Sequence, residues 1–288
     1  MNFKVYNDVN DFYNATHNLL MQHEAQNLIL LGNIIIGKEG KDKSGWRDPA
    51  NWLMATVADG NDIQIVAMMT PPRNITLYAK ENKINEAATA CLISGLANTT
   101  VPGVISDKNM AQHFAQAYCA AKGLSSHTLM NQRIYELTEV NPSIPQTGQM
   151  RLANESDMHF LPYWLEAFNA AEEYGKQTMS IPQDAGNYLH KITQKQIYVL
   201  EDGGQPVSIS GTTREIQTVC GIAYVYTPPY FRKKGYATSC VAQLSQMVLN
   251  RGFTKCVLYT DLANPISNSI YQKIGYRPVC DSLMLKFV

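Results

Sequence analysis

Neither charge sign is in excess in this chain: Lys plus Arg and Asp plus Glu each number 24, so the formal net charge is zero. That excludes a global field that would draw the protein to nucleic acid or an anionic membrane, and any anion site must be a local arrangement. Long hydrophobic runs are missing as well. The longest, Leu28 to Ile36, is interrupted by Gly32 and Asn33 and falls far short of the roughly 20 residues of a membrane-spanning helix. Met1 to Asp11 mixes charged with apolar residues and lacks the basic start and apolar core of a signal peptide. Cysteines Cys91, Cys119, Cys220, Cys240, Cys256 and Cys280 show no CxxC or Cys/His ligand spacing and read as buried free thiols. Histidines His17, His23, His113, His127, His159 and His190 show no pairing suited to zinc, so no metal is expected. A cytoplasmic protein with no membrane or nucleic-acid partner follows as the expectation.

What is present is an ordinary globular composition, 45% hydrophobic and 17% charged, over 288 residues. That length favours two domains, each able to bury its own core. Thr70-Pro71-Pro72 ends a strand-like run, Ile63 to Met69, and Thr227-Pro228-Pro229 ends another, Gly221 to Tyr226. Each is followed by a helix-like segment, Lys83 to Leu96 and Ala237 to Arg251, which reads as an internal repeat. Between the halves Asn141 to Gly148 is polar and proline-bearing, the expected linker, giving domains 1–140 and 149–288. In the second, strands at Gln196 to Leu200 and Gln205 to Thr212 are expected as a hairpin turned at Asp202-Gly203-Gly204.

The stretch Val225-Tyr226-Thr227-Pro228-Pro229-Tyr230-Phe231-Arg232-Lys233-Lys234-Gly235-Tyr236-Ala237 reads as a strand that breaks into a basic, glycine-bearing loop and at once starts a helix. A helix start has backbone N–H groups without intrahelical partners and the positive end of the macrodipole, so it can hold a phosphate or pyrophosphate. Behind the loop, Ala237, Cys240, Val241, Leu244, Met247 and Val248 recur at the spacing of one buried helix face, with Gly252 at its stop. After Pro72 the first half has no glycine until Gly95 and no basic triplet, which leaves it a scaffold or one wall of a substrate groove.

The Arg-x-x-Gly-x-Ala spacing from Arg232 to Ala237 resembles the acyl-CoA signature of the GNAT superfamily of N-acyltransferases. The segment Asp261-Leu262-Ala263-Asn264-Pro265-Ile266-Ser267-Asn268-Ser269-Ile270-Tyr271-Gln272-Lys273-Ile274-Gly275-Tyr276 resembles its second hallmark, an Asn after the fifth strand and a Tyr ahead of a Gly-aromatic pair. The resemblance covers residues 149 to 288 well and the first half in outline. It implies two tandem α+β domains, each a twisted, mostly antiparallel mixed sheet flanked by helices, the first without a cofactor loop.

By the same resemblance, main-chain groups of Val225 and Thr227 would pair with the pantetheine arm where the fourth strand splays from the fifth, the double proline being the expected cause. An N–H of Val225 or Tyr226 would polarise the thioester carbonyl. Backbone amides from Lys233, Lys234, Gly235, Tyr236, Ala237 and Thr238, with Arg232 adding charge, would hold the pyrophosphate, and Asn264 and Asn268 would bond the cofactor arm or position the following helix. Tyr271 would protonate the departing thiolate, since a phenol of pKa about 10 stays protonated where a thiol near 8.5 is leaving. Asp261 and Glu215 are candidates for the base that the attacking amine needs, with a water chain as the other route. Glu166, Glu172 and Glu173 could attract a cationic amine. Trp46 and Trp52 could face a groove or plug the core, the core reading being preferred. The implied activity is transfer of an acyl group, acetyl above all, from acetyl-CoA to a small-molecule or peptide amine in a ternary complex, and a homodimer is compatible with it. A non-catalytic acyl-CoA-binding regulatory module is the alternative. A nucleotide-phosphate binder ranks below both, because the GxxxxGK[ST] spacing is missing.

Overall fold

A computed structural model describes residues 1–40, 47–171 and 181–288 of the chain. It divides into two compact units, Met1–Ile134 with Val279–Val288, and Tyr135–Pro278. Unit 1 runs β1 (Asn2–Val5), α1 (Val9–Met21), α2 (Leu28–Glu39), β2 (Leu53–Asp59), β3 (Asp62–Met69), β4 (Ile75–Ala79), α3 (Glu86–Gly95), β5 (Gly103–Asp107), α4 (Lys108–Lys122) and most of β6 (Ser126–Leu137). Unit 2 repeats the order with β7 (Gln149–Leu152), α5 (Leu161–Ala171), α6 (Ile181–Thr193), β8 (Ile197–Asp202), β9 (Gln205–Thr213), β10 (Val219–Tyr226), α7 (Tyr236–Asn250), β11 (Lys255–Asp261) and α8 (Pro265–Ile274). Strands β2–β3, β3–β4, β7–β8, β8–β9 and β9–β10 pair antiparallel, and β4 with β5 and β10 with β11 pair parallel. Among the described residues no helix is long and apolar enough to cross a membrane.

The last strand, β12 (Arg277–Phe287), changes the boundary read from sequence, because Val279–Val288 packs with the first unit rather than the second. Its Ser282 to Lys286 pair antiparallel with Asp107 to Gly103 of β5. The period-2 alternation puts Leu283, Leu285 and Phe287 into the unit 1 core, where the Phe287 ring lies 5.0 Å from that of Tyr118. Burying such side chains contributes roughly 1.5 to 3 kcal/mol each. Gly103 permits the approach, since a Cβ there would sit 2.1 Å from the Leu285 carbonyl oxygen. Tyr135 and Leu137, at the end of β6, belong to the unit 2 core, so the first boundary falls at 134/135 rather than 140.

The Thr-Pro-Pro repeat also shifts. Thr70-Pro71-Pro72 joins the third strand of unit 1 to its fourth, whereas Thr227-Pro228-Pro229 follows the fourth strand of unit 2. The true counterpart of the basic loop is therefore the stretch from Ala79 to Glu86, between β4 and α3. Trp52 is buried against Gly37, where a Cβ would meet its ring at 2.6 Å, as the core reading requires. Trp46 lies outside the described residues. All six thiols are free, and Cys119, Cys220, Cys240 and Cys256 are buried.

Candidate active site

Strand β10 and its neighbours build the site. Parallel pairing sets Val219, Cys220 and Gly221 against Lys255, Cys256 and Val257 and extends no further among the described residues. The two strands thus part at Gly221, well before Pro228. The prolines are not the local cause of that opening. On its other edge β10 carries a bulge: the register passes from Ala223↔Gly211 to Tyr226↔Ile209, so Tyr224 and Val225 together stand opposite Ser210. Tyr224 has φ 58, a conformation that a bulky side chain adopts only under constraint from its surroundings. The Lys191 ammonium supplies part of that constraint, donating to the Tyr224 hydroxyl at 2.9 Å, and the Phe168 ring meets the Tyr224 ring at 6.0 Å and 70°. A bulge re-aims the backbone after it, here that of Val225.

The strand then ends in a hydroxyl clasp. Ser208 Oγ lies 2.8 Å from Thr227 Oγ1 and donates to the Tyr226 carbonyl at 3.1 Å, while Arg232 Nε donates to the Thr227 carbonyl at 2.9 Å. Arg232 therefore ties the loop to the strand it left. A single 3-10 turn, Pro229–Phe231, leads through Lys233 at φ 62 to Gly235 at φ 84, the residue that caps α7. Only the conformation demands glycine at 235, because a Cβ there meets nothing within 4 Å. Among the described residues no side chain caps this helix start, so the first N–H groups of the helix, those of Tyr236, Ala237 and Thr238, have no capping side-chain acceptor. Tyr236 contributes only its backbone. Its phenol donates to Asp202 Oδ2 at 2.5 Å, which holds its pKa above the ordinary value and tethers the helix to the β8–β9 turn.

Across the opening, Asp261 stands four residues past Val257 on β11, as Val225 does past Gly221 on β10. Asp261 Oδ1 accepts from the Ala263 N–H at 2.8 Å. The two asparagines are spent on the start of α8: Asn264 Oδ1 accepts from the Ser267 N–H, and Asn268 Nδ2 donates to the carbonyls of Asp261 and Asn264 while its Oδ1 accepts from the Tyr135 hydroxyl at 3.1 Å. Of their two expected roles, this geometry is the positioning one. Tyr271 is buried at 7% exposure in the same apolar cluster that takes in Val225, and its ring faces those of Tyr135 and Tyr276. Tyr276 is deeper still, sharing a 2.8 Å hydrogen bond with Ser245, and burial pushes its phenol well up. Glu215 is not brought to the site. It precedes the first residue of β10, at the end away from the bulge, and pairs with Arg251 at 2.8 Å. Glu166 accepts from the Tyr188 hydroxyl, and Glu172 and Glu173 lie outside the described residues. Among the described residues no group of three or more His, Cys, Asp or Glu side chains could hold a metal ion.

Sequence reasoning missed Tyr224, Lys191, Tyr135 and Ser208. For Ser208 a signal existed: Ser208, Ser210 and Thr212 are hydroxyl residues at period two on an apolar strand, all buried, with Cys240 Sγ donating to Ser210 Oγ at 3.2 Å. Nothing in the residue types announces a left-handed tyrosine.

Residues 161–276 match the family model described as the acetyltransferase (GNAT) family. Over that stretch the chain is similar to this family. Among solved structures, a Drosophila protein is similar over 99% of this chain and 98% of its own, at 11% identity and a TM-score of 0.69. A GCN5-related N-acetyltransferase from Sphaerobacter thermophilus is similar over 99% and 95%, at 14% identity and 0.58. A tandem GNAT protein from the clavulanic acid biosynthesis pathway is similar over 100% and 98%, at 10% identity and 0.56. At such identities the likeness is one of fold: two tandem GNAT-like α+β domains. No curated protein sequence matches the chain.

Proposed function

We propose that unit 2 transfers an acyl group, acetyl in the first instance, from acyl-CoA to a primary amine on a small molecule or peptide. The observation that carries this is the uncapped, glycine-started helix following directly on a bulged strand that has parted from its parallel neighbour. The residues fit the donor. The uncapped N–H groups at the start of α7, with Lys233 and Lys234 beside them, suit a pyrophosphate, and the gap between β10 and β11 suits an extended pantetheine arm. The Val225 N–H, re-aimed by the bulge, is the donor assigned to the thioester oxygen as negative charge grows on it.

In the reaction the amine nitrogen bonds to the carbonyl carbon, the carbon–sulfur bond breaks, and Tyr271 gives its proton to the departing sulfur. The amine loses its own proton to Asp261 or to solvent. Unit 2 cysteines are poor nucleophiles for a covalent route: burial pushes the Cys220 thiol up, Cys240 to about 11 and Cys256 to about 12, so thiolate is scarce at neutral pH. Thiol release from acetyl-CoA over a panel of amines tests the activity. Tyr271→Phe is expected to slow turnover by about a hundred- to ten-thousandfold while sparing CoA affinity. A chain that binds CoA and releases no thiol with any amine would instead be an acyl-CoA-binding regulatory module.

A further inference from the structure

We infer that Tyr230, aided by Ile266, reads the adenosine end of the donor and so selects a free coenzyme A thioester over the same phosphopantetheine arm carried on a protein. This rests on the acyl-CoA reading above. Among the described residues, Tyr230 at 79% and Ile266 at 70% exposure are the two most exposed of the large apolar side chains. Their positions are related by topology: β10 and β11 run parallel, so the loop after β10 and the start of α8 leave the sheet at the same end. Tyr230 has ring and cation neighbours in its own loop. The Phe231 ring stands at 85° to it with centroids 5.2 Å apart, and the Lys234 ammonium lies 5.0 Å from its centroid. An exposed aromatic ring beside Arg232, Lys233 and Lys234 is matched by a ligand that joins a flat π-face to several phosphate charges. The nucleotide portion of coenzyme A has both. A phosphopantetheine attached to a carrier protein has one phosphodiester and no base, so it leaves the ring uncovered.

Calorimetric titration of the full chain with CoA and with 4′-phosphopantetheine tests the inference. The unmodified protein is expected to bind CoA at least about tenfold tighter than phosphopantetheine, the scale of one base stacked on an aromatic ring. Tyr230→Ala should weaken CoA by about that factor and leave phosphopantetheine unchanged, and Tyr230→Phe should keep the affinity because the ring and not the hydroxyl is used. Ile266→Ser should act in the same direction with a smaller loss. If Tyr230→Ala weakens both ligands equally, or neither, the ring reads something other than adenosine, such as a protein partner, and the inference is overturned. An unmodified protein that binds both ligands equally overturns this inference and leaves the acyl-CoA reading standing. One that binds neither overturns both.

Discussion

Two loops occupy the same place in the two units, between the fourth strand and the helix that follows, and both contain lysines. In unit 1 Lys80 pairs with Asp62 at 2.5 Å and Lys83 with Glu81 at 2.6 Å, the Asn85 side chain caps α3 by accepting from the Ala88 N–H at 3.1 Å, and Glu86 puts a carboxylate in the first turn. In unit 2 no ion pair among the described residues involves Arg232, Lys233 or Lys234, and Gly235 leaves the helix start without a side-chain cap. The strands differ in step with the loops. Leu77, Tyr78 and Ala79 are buried and Ser106 Oγ donates to the Leu77 carbonyl at 2.8 Å, stitching β4 to β5 beyond their parallel pairs, while Val225 and Tyr226 are half-buried beside an opening. Counting basic residues would not separate the loops. What separates them is whether the cations are paired with carboxylates and the helix start with a side-chain cap.

The hardest test of that contrast gives the second loop the acidity of the first. Gly235→Asp places a carboxylate at the open helix start and a Cβ at φ 84, and CoA affinity by calorimetry should fall by about a hundredfold or more. Unchanged affinity would show that the helix start does not hold the anion. The next effect concerns an Arg–Asp clamp that each unit carries. Arg151 donates to both Asp157 oxygens at 2.7 Å, with Asp157 only 2% exposed, whereas the Arg133–Asp281 clamp of unit 1, at 2.6 and 3.1 Å, is about one-third exposed. Burial raises the Asp157 carboxyl, but the Arg151 hydrogen bonds and the Asn154 N–H outweigh it and hold the group below its ordinary value; Arg133 does the same to Asp281. A carboxyl lowered by folding stabilises the native state above its unfolded value of about 4, and that contribution fades as pH falls through the lower folded value. Asp157→Asn should flatten the loss of stability below pH 4, and, by removing charge-assisted hydrogen bonds, should cost about 2 kcal/mol at pH 7, by urea titration at both pH values. Asp281→Asn should cost about half as much, and equal losses would contradict the burial difference.

Much of the second loop could be read from residue types because each of its devices is local. Gly235 supplies the positive φ, and Cys240, Val241, Leu244 and Val248 are buried and pin the helix behind it, whereas Met247, expected on the same face, is exposed and Ala237 is half-buried. Long-range facts could not be read that way. The alternation of Leu283, Leu285 and Phe287 announces a strand, yet both units could accept it, and only the match to Gly103 and the rings on α4 selects unit 1. Thr-Pro-Pro misled for a similar reason: it marks the end of a strand without saying which one. The bulge at Tyr224 depends on Lys191 and Phe168, 33 and 56 residues earlier in the chain, and the opening it borders was credited to prolines simply because they were near in sequence. The asparagines were noticed in the sequence, but only their hydrogen-bond partners show that they brace α8.

The smallest predicted effect lies in unit 1, where the contrast can be tested from its other side. Asn85→Ala removes the hydrogen bond to the Ala88 N–H and also the weaker one from Nδ2 to Gln64 Oε1 at 3.3 Å. Losing an Asn N-cap costs about 1 kcal/mol, visible as a small drop in thermal midpoint. CoA affinity should not move, because Glu86 still sets a carboxylate in the first turn and the lysines of the loop keep their carboxylate partners. If uncapping alone gave unit 1 a measurable second CoA site by calorimetric stoichiometry, the cap would be the whole difference between the loops. The expected result, a stability loss without a new site, means that Glu86 and the paired lysines suffice to keep an anion away from α3 once the cap is gone.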